Sequence, residues 1–287
     1  MISVLLIIAV WLWGVSFVAT KLCLDYLTPS EIIAARFILA LPFLYIISMQ
    51  RKLSYSFVRG KWGLLALCGI IIAAHLLVQV EGMKTTTATN TVWLLATIPI
   101  FIAVFSIIFL KEKLHFIQIG GIAIAAFGVI LLISQGELSS FDYLKSYGDW
   151  LILISCITWA IYTILARKLS SAAPLAVNNV VLTIAAIIIV PKVLFTSGLT
   201  PFMSLPPRII LALVFLGVFC LGLAFWFWAE ALSRKPAAKV GAYIYLEPLS
   251  TMAVAPFVLN EQITPFHIFG GILVIWGVWL VEKKVIR

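Results

Sequence analysis

The residues best able to do chemistry are polar ones set in long apolar surroundings. Glu247 is the clearest. It lies in YIYLEPLS (243–250), inside a run from Val240 to Leu259 that is otherwise free of charge. As eighth residue of that run it lies roughly 10 Å inside one end of a helix, at about 1.5 Å per residue. An ionised carboxylate at that depth is costly unless it faces a partner, faces a cavity or takes up a proton. Pro248 follows at once, removing a backbone donor and freeing the carbonyl of Ile244. In a membrane such a carbonyl is re-satisfied by protein or lines wet space. The pair predicts a bent helix beside an aqueous path, with Glu247 holding an amino group or a coupling proton. The competing reading is a buried structural partner for Arg36 or for a backbone amide.

Arg36 is fifth in the run Ile32–Ser48. Thr28-Pro29-Ser30-Glu31 before it reads as a helix start, with Thr28 as cap, Pro29 at the first helical position and Glu31 three residues on. About one turn deep, Arg36 is predicted to snorkel outward or to pair structurally; contact with a carboxylate or phosphate is the other reading. His75 and Gln79 are four apart and share a helix face. A histidine there is a proton carrier, a hydrogen-bond donor or a satisfied packing residue. Thr86, Asn90, Trp93 and Thr97 form a stripe at i, i+4, i+7 and i+11, which reads as pathway lining or as helix–helix glue. Trp13 with Ser16, and Trp159 with Tyr162, make matching i, i+3 pairs, and Tyr243 lies one turn from Glu247. Such rings offer faces to cations and to apolar bodies. Interfacial anchoring accounts for Trp62, Trp150, Trp276 and Trp279.

The elements that must position these residues follow from composition. The 287 residues are 63% hydrophobic and 11% charged, with a mean hydropathy of +1.16. A soluble chain carries about 25% charged residues. Too little polar surface exists to cover a water-facing globule, so the bilayer is the solvent. Ten runs are long enough to cross it as helices: 1–20, 32–48, 62–80, 85–110, 116–136, 150–166, 172–191, 209–229, 240–259 and 266–281. Membrane β-strands are shorter and alternate in polarity, so an all-α integral membrane fold is expected. The first run lacks a basic n-region and exceeds an h-region, so it reads as a retained helix. Cys23, Cys68, Cys156 and Cys220 lack paired spacing and read as small buried hydrophobes.

The net charge of +9 does not point to nucleic acid, because its distribution has a different logic. With the amino terminus inside, fourteen Lys and Arg fall on the cytoplasmic side, five on the other, and Arg36 within a span. This is the positive-inside bias, with both termini in the cytoplasm.

The chain repeats itself. Glu81 and Glu230, Pro99 and Pro248, Glu112 and Glu261, Gly121 and Gly270, and Gly128 and Gly277 are each 149 residues apart. Trp13 and Trp159, and Lys21 and Arg167, are 146 apart. Two five-helix halves are read, 1–136 and 148–287, joined by 137–147. An odd helix number inverts the second half, and inverted repeats around a midplane site are the architecture of secondary transporters. The mates of His75 and Gln79 are Ala224 and Trp228, and the mate of Glu247 is Ile98, so the halves differ where a ligand would be read. Trp228 joins the candidate lining. Gly121, Gly270 and their helix neighbours read as close-packing grooves. Glu112 and Glu261, in short turns, read as scaffold, as do Pro99 and Pro248 at the bends. Lys21 and Arg167 read as membrane anchors.

LATIPIFIAVFSIIFLKEKLHFIQIGGIAIAAFGVILL (94–132) and YLEPLSTMAVAPFVLNEQITPFHIFGGILVIWGVWL (245–280) resemble the EamA-type repeat of the drug/metabolite transporter superfamily. Each has Pro, Glu thirteen positions on, and then a glycine-containing helix. WGVSFVATK (13–21) and AARFILALPF (34–43) resemble its first two helices. The resemblance implies ten helices as inverted 5+5 repeats, both termini inside, and export of small metabolites, often amino acids.

No HExxH, GxSxG or phosphate loop is present, and the connection from Gly136 to Asp149 is too short for an ATP-binding domain. The expectation is a secondary exporter in the plasma (bacterial inner) membrane, not an enzyme, moving amino acids with aromatic ones among them. Efflux of cationic aromatic drugs is the alternative within transport; an intramembrane enzyme using His75 and Glu247 is the alternative outside it. A small-molecule substrate and membrane lipid are the expected partners, with a homodimer left open. No cofactor or metal is read.

Overall fold

Thr28-Pro29-Ser30-Glu31 starts a helix as its residue types dictate. Thr28 Oγ1 accepts from the Glu31 amide and Glu31 Oε2 accepts from the Thr28 amide at 2.8 Å, with Pro29 at the first position, where its missing donor costs nothing. In the computed structural model the described residues are 2–86, 91, 94–134, 144, 146–251, 253 and 265–283. Among them every regular element is helical and no strand forms.

Among the described residues, six helices are long and apolar enough to cross a membrane: α1 (Ile2–Leu24), α2 (Pro29–Gln50), α3 (Val58–Thr85), and, beyond two shorter ones, α6 (Tyr147–Lys168), α7 (Pro174–Thr196) and α8 (Pro207–Arg234). The shorter apolar helices are α4 (Ile98–Leu110) and α5 (Phe116–Ser134) in the first half. Near the C-terminus come the short α9 (Ala237–Ala242) and α10 (Pro265–Glu282).

The packing partners exchange when mates at the repeat offset are exchanged. α1 lies on α8 as α3 lies on α6, while α2 meets α7 and α5 meets α10. The α5–α10 contact is the tightest. A Cβ on Gly121 would lie 2.7 Å from the Gly277 carbonyl, and one on Gly128 would lie 2.8 Å from the Gly270 carbonyl. These glycines let the two backbones touch. In lipid, where burying apolar surface gives little drive, van der Waals packing at that distance holds helices together.

Three expectations need correction. The run 85–110 is not one helix: α3 continues to Thr85, Thr86 turns to extended backbone (φ −99°, ψ 158°), and α4 starts at Ile98. Thr86 therefore does not share a helical stripe with Thr97. It caps α3, and its hydroxyl donates to the Asp149 carboxylate at the start of α6. Lys21 and Arg167 are more than anchors. Lys21 Nζ donates to the carbonyls of Met83 and Thr86 at the end of α3. Arg167 donates to the Leu232 carbonyl near the end of α8. Orphan carbonyls and a negative dipole end attract cations there, and Met83 and Leu232 are themselves 149 apart. Arg36 does not snorkel: it is only 5% exposed, turned inward from α2.

The four cysteines are free and buried. Trp62, Trp150, Trp276 and Trp279 are each half or more exposed on the outer surface, as anchors would be.

Candidate functional site

Proline at 248 cannot donate to the Ile244 carbonyl, so the chain before it tightens. Tyr243–Leu246 forms a 3₁₀ turn, and the Glu247 amide takes over the Ile244 carbonyl. Four residues at about 120° each, instead of about 100°, rotate the succeeding helix by roughly 80°. Helical backbone resumes at Glu247, whose carboxyl faces a cavity. The expected bend beside Glu247 is thus a 3₁₀ turn. Glu112 holds the other end of this element, its carboxylate accepting from the amides of Ala237 at 2.8 Å and Ala238 at 3.3 Å. Those are orphan donors at the N-terminus of α9.

The cavity is narrow. Its apolar frame is built from mates: Trp13 and Trp159, Leu76 and Phe225, Leu95 and Ile244 all line it. The last two pairs are each 149 apart, as are Ile98 and Glu247, which also line it. Phe17 completes the frame, and Ser16, Arg36, His75 and Gln79 supply the other polar groups. A second, smaller space lies beyond Phe17, Leu95 and Ile244, and Glu247 lines both.

Each polar group is held by its element. His75 on α3 is 4% exposed, and its Nδ1 lies 3.0 Å from the Ser155 carbonyl of α6. A carbonyl only accepts, so Nδ1 carries the proton and Nε2 is left for another partner. Ser16 Oγ donates back to the Trp13 carbonyl at 2.6 Å. Trp13 Nε1 donates to the Cys220 carbonyl at 3.0 Å, tying α1 to a π-helical stretch of α8, Phe215–Ala224. Glu247 is 7% exposed. Ion pairs among the described residues are Lys84–Glu81, Arg234–Glu230 and Lys235–Glu282, all at helix ends. Arg36 and Glu247 share the cavity without forming one.

On the side of the two chain termini the cavity ends in rings. Trp13, Trp159, Phe225 and Trp228 touch one another, with centroids 5.1–5.6 Å apart. Beyond them Lys235 Nζ bonds Ser3 at 2.9 Å and pairs with Glu282.

Of the candidates from sequence, Trp13, Ser16, His75, Gln79, Trp159 and Glu247 meet at this cavity. Tyr162 and Trp228 stand behind its wall, against Trp159. Thr97 turns its hydroxyl to the Leu94 carbonyl, and Tyr243 lies under Lys235. Asn90, Trp93 and Glu261 lie outside the described residues. Gly121 and Gly270 sit in the α5–α10 contact, and Pro99 opens α4. Sequence reasoning does not single out Phe17, Leu76, Leu95, Ile98, Phe225 and Ile244 as lining. The repeat offset, applied to apolar positions as well as polar ones, pairs five of those six with residues that also line the cavity, all but Phe17.

The chain resembles proteins of one kind throughout its length. The pattern of the EamA-like transporter family matches residues 1–134 and again 146–282. A protein of Archaeoglobus fulgidus described as an uncharacterized transporter is 30% identical over 98% of this chain and 96% of its own. The uncharacterized transporter YyaM of Bacillus subtilis is 30% identical over 96% of this chain and 90% of its own. A probable amino-acid metabolite efflux pump of Escherichia coli is 26% identical over 97% of this chain and 93% of its own. A solved crystal structure shares the fold, with a TM-score of 0.80 at 17% identity, covering 97% of this chain and 95% of that one. A helical chain with six membrane-length apolar helices, a narrow buried cavity and two matches to a single repeat is a membrane protein, and it belongs to the EamA-like transporter family.

Proposed function

We propose that this protein is a secondary transporter that exports small amphipathic metabolites, amino acids first among them, by alternating access. In this reading ten spans form two inverted halves, 1–136 and 148–287, with both termini in the cytoplasm and the plasma membrane as the site. The observation that carries it is the cavity lining: an apolar frame of repeat mates around a carboxylate that only one half supplies. A site on the axis relating two similar halves is reached from either side when the halves exchange shapes. Small facing glycines on both α5 and α10, and the mated cations Lys21 and Arg167 on matching carbonyls, support the inverted repeat. The E. coli relative's described role as an amino-acid metabolite efflux pump supports the substrate class.

Glu247 binds the ammonium group, and the rings of Trp13, Trp159 and Phe225 take an apolar side chain. The four-ring cluster closes the cytoplasmic side in this conformation and must part during turnover. Efflux of cationic aromatic compounds is the second reading, favoured by the same rings and carboxylate. Counterflow in proteoliposomes tests the proposal: labelled phenylalanine enters vesicles preloaded with unlabelled phenylalanine. Uptake by wild type and at least about tenfold less by Glu247→Gln is expected from loss of one charged hydrogen bond. Equal uptake by both proteins would return Glu247 to the scaffold. No uptake of any amino acid by folded wild type would remove this substrate class.

A further inference from the structure

Arg36 is the group in the cavity that the proposed function leaves unused. It is 5% exposed, it lines the cavity, and its Nε has no hydrogen-bond partner. The ion pairs among the described residues lie at helix ends, and none of them reaches its guanidinium. A buried cation without a counter-charge is strongly unfavourable in a membrane interior. The scaffold does not require it: its mate 146 residues on is Leu182, a buried apolar residue in α7. Arg36 comes from the first half and Glu247 from the second, so the cavity presents a guanidinium and a carboxyl group that form no ion pair with each other.

We propose that Arg36 binds the carboxylate of the transported molecule, so that the cavity selects zwitterions over amines. This rests on the transport reading and sharpens its substrate class. A guanidinium fork matches a carboxylate with two parallel hydrogen bonds. A phosphate dianion fits less well, because one guanidinium must offset two charges in a narrow space shared with Glu247. A zwitterion instead satisfies both walls at once, its carboxylate on Arg36 and its ammonium on Glu247.

The test compares ligands on the wild-type protein, so it does not depend on a variant folding. Unlabelled phenylalanine, phenylalaninamide and phenethylamine compete for counterflow of labelled phenylalanine in proteoliposomes. The amide and the amine, which lack the anionic group, are expected to compete at least about tenfold more weakly than phenylalanine. Arg36→Lys keeps the charge without the fork and is expected to raise the half-saturating concentration more than it lowers maximal exchange. Arg36→Gln is expected to erase the preference for phenylalanine over phenethylamine. Competition by the amide and amine equal to that of phenylalanine would overturn the carboxylate assignment and leave transport standing. Absence of counterflow of labelled phenylalanine and of labelled phenethylamine by folded wild type would overturn both readings.

Discussion

Glu247 and Ile98 occupy positions 149 apart, both line the cavity, and only one is charged. The side chains differ, and so does the backbone that presents them: Glu247 follows a 3₁₀ turn, whereas Ile98 opens α4. His75 allows the chemistry of one atom to be separated from folding. Its Nδ1 donates to the Ser155 carbonyl, which also accepts from Thr158 Oγ1 at 2.9 Å. Removing the imidazole therefore does not orphan that carbonyl, and the stability cost is about 1 kcal/mol. His75→Asn places an amide donor near Nδ1 and nothing at Nε2. Thermal unfolding in detergent should be close to wild type for His75→Asn and lower for His75→Leu, with counterflow reduced in both. Full counterflow by His75→Asn would show that Nε2 has no part in transport.

At the scale of the element, the 3₁₀ turn at Tyr243–Leu246 aims Glu247. Pro248→Ala restores the missing donor and lets the turn relax to α-helix. The variant should unfold at the wild-type temperature or above, yet lose counterflow, because Glu247 rotates off the cavity wall. Retained counterflow would mean that the bend survives without the proline. The N-terminal end of α9 depends on Glu112, whose carboxylate caps Ala237 and Ala238. Glu112→Ala should cost about 1 kcal/mol, the usual effect of losing an N-terminal cap, read as a lower unfolding temperature. The α5–α10 contact is more demanding. A Cβ on Gly277 would lie 2.5 Å from the Ala125 amide nitrogen and 2.6 Å from the Gly121 carbonyl. Both are backbone atoms that cannot swing aside. Gly277→Ala should destabilise by about 1–3 kcal/mol, the cost of overpacking; no change in unfolding would show that the two helices part without penalty.

For the whole molecule, the buried free cysteines make orientation measurable. Membrane-impermeant thiol reagents should leave all four unlabelled in the folded protein. Against that silent background, a cysteine in place of Ser54 should react only from the cytoplasmic side, and one in place of Asp25 only from the outside. Labelling of both from one side would show that α2, which separates them, does not cross the membrane. At the chain-terminus end, Lys235 with Ser3 and Glu282, and Arg167 with Leu232, tie α1, α6, α8 and α10 together, and Glu112 ties α9 to the turn after α4. In the proposed alternating-access cycle these ties either break or move as one unit.

The sequence by itself determined the solvent, the helical class and the family. Each is a property of pattern: charge-free runs, a fixed offset, and side-chain types that lipid tolerates. It also picked out Glu247, His75, Gln79 and the Trp13–Trp159 pair, because polar or aromatic groups in an apolar span stand out one residue at a time. Only the tertiary structure decided which of them meet. Depth along one helix predicts snorkelling for Arg36 but says nothing about which side of that helix faces lipid; packing of α2 against α7 and α8 turns it inward. Tyr162 and Trp228 share residue type and spacing with true lining groups, yet a single turn of helix places them behind the wall. Leu76, Leu95 and Ile98 carry no signal of their own, because an apolar residue facing a cavity looks in sequence like one facing another helix. Their role comes from convergence of several distant helices on one cavity, which no single stretch of chain encodes.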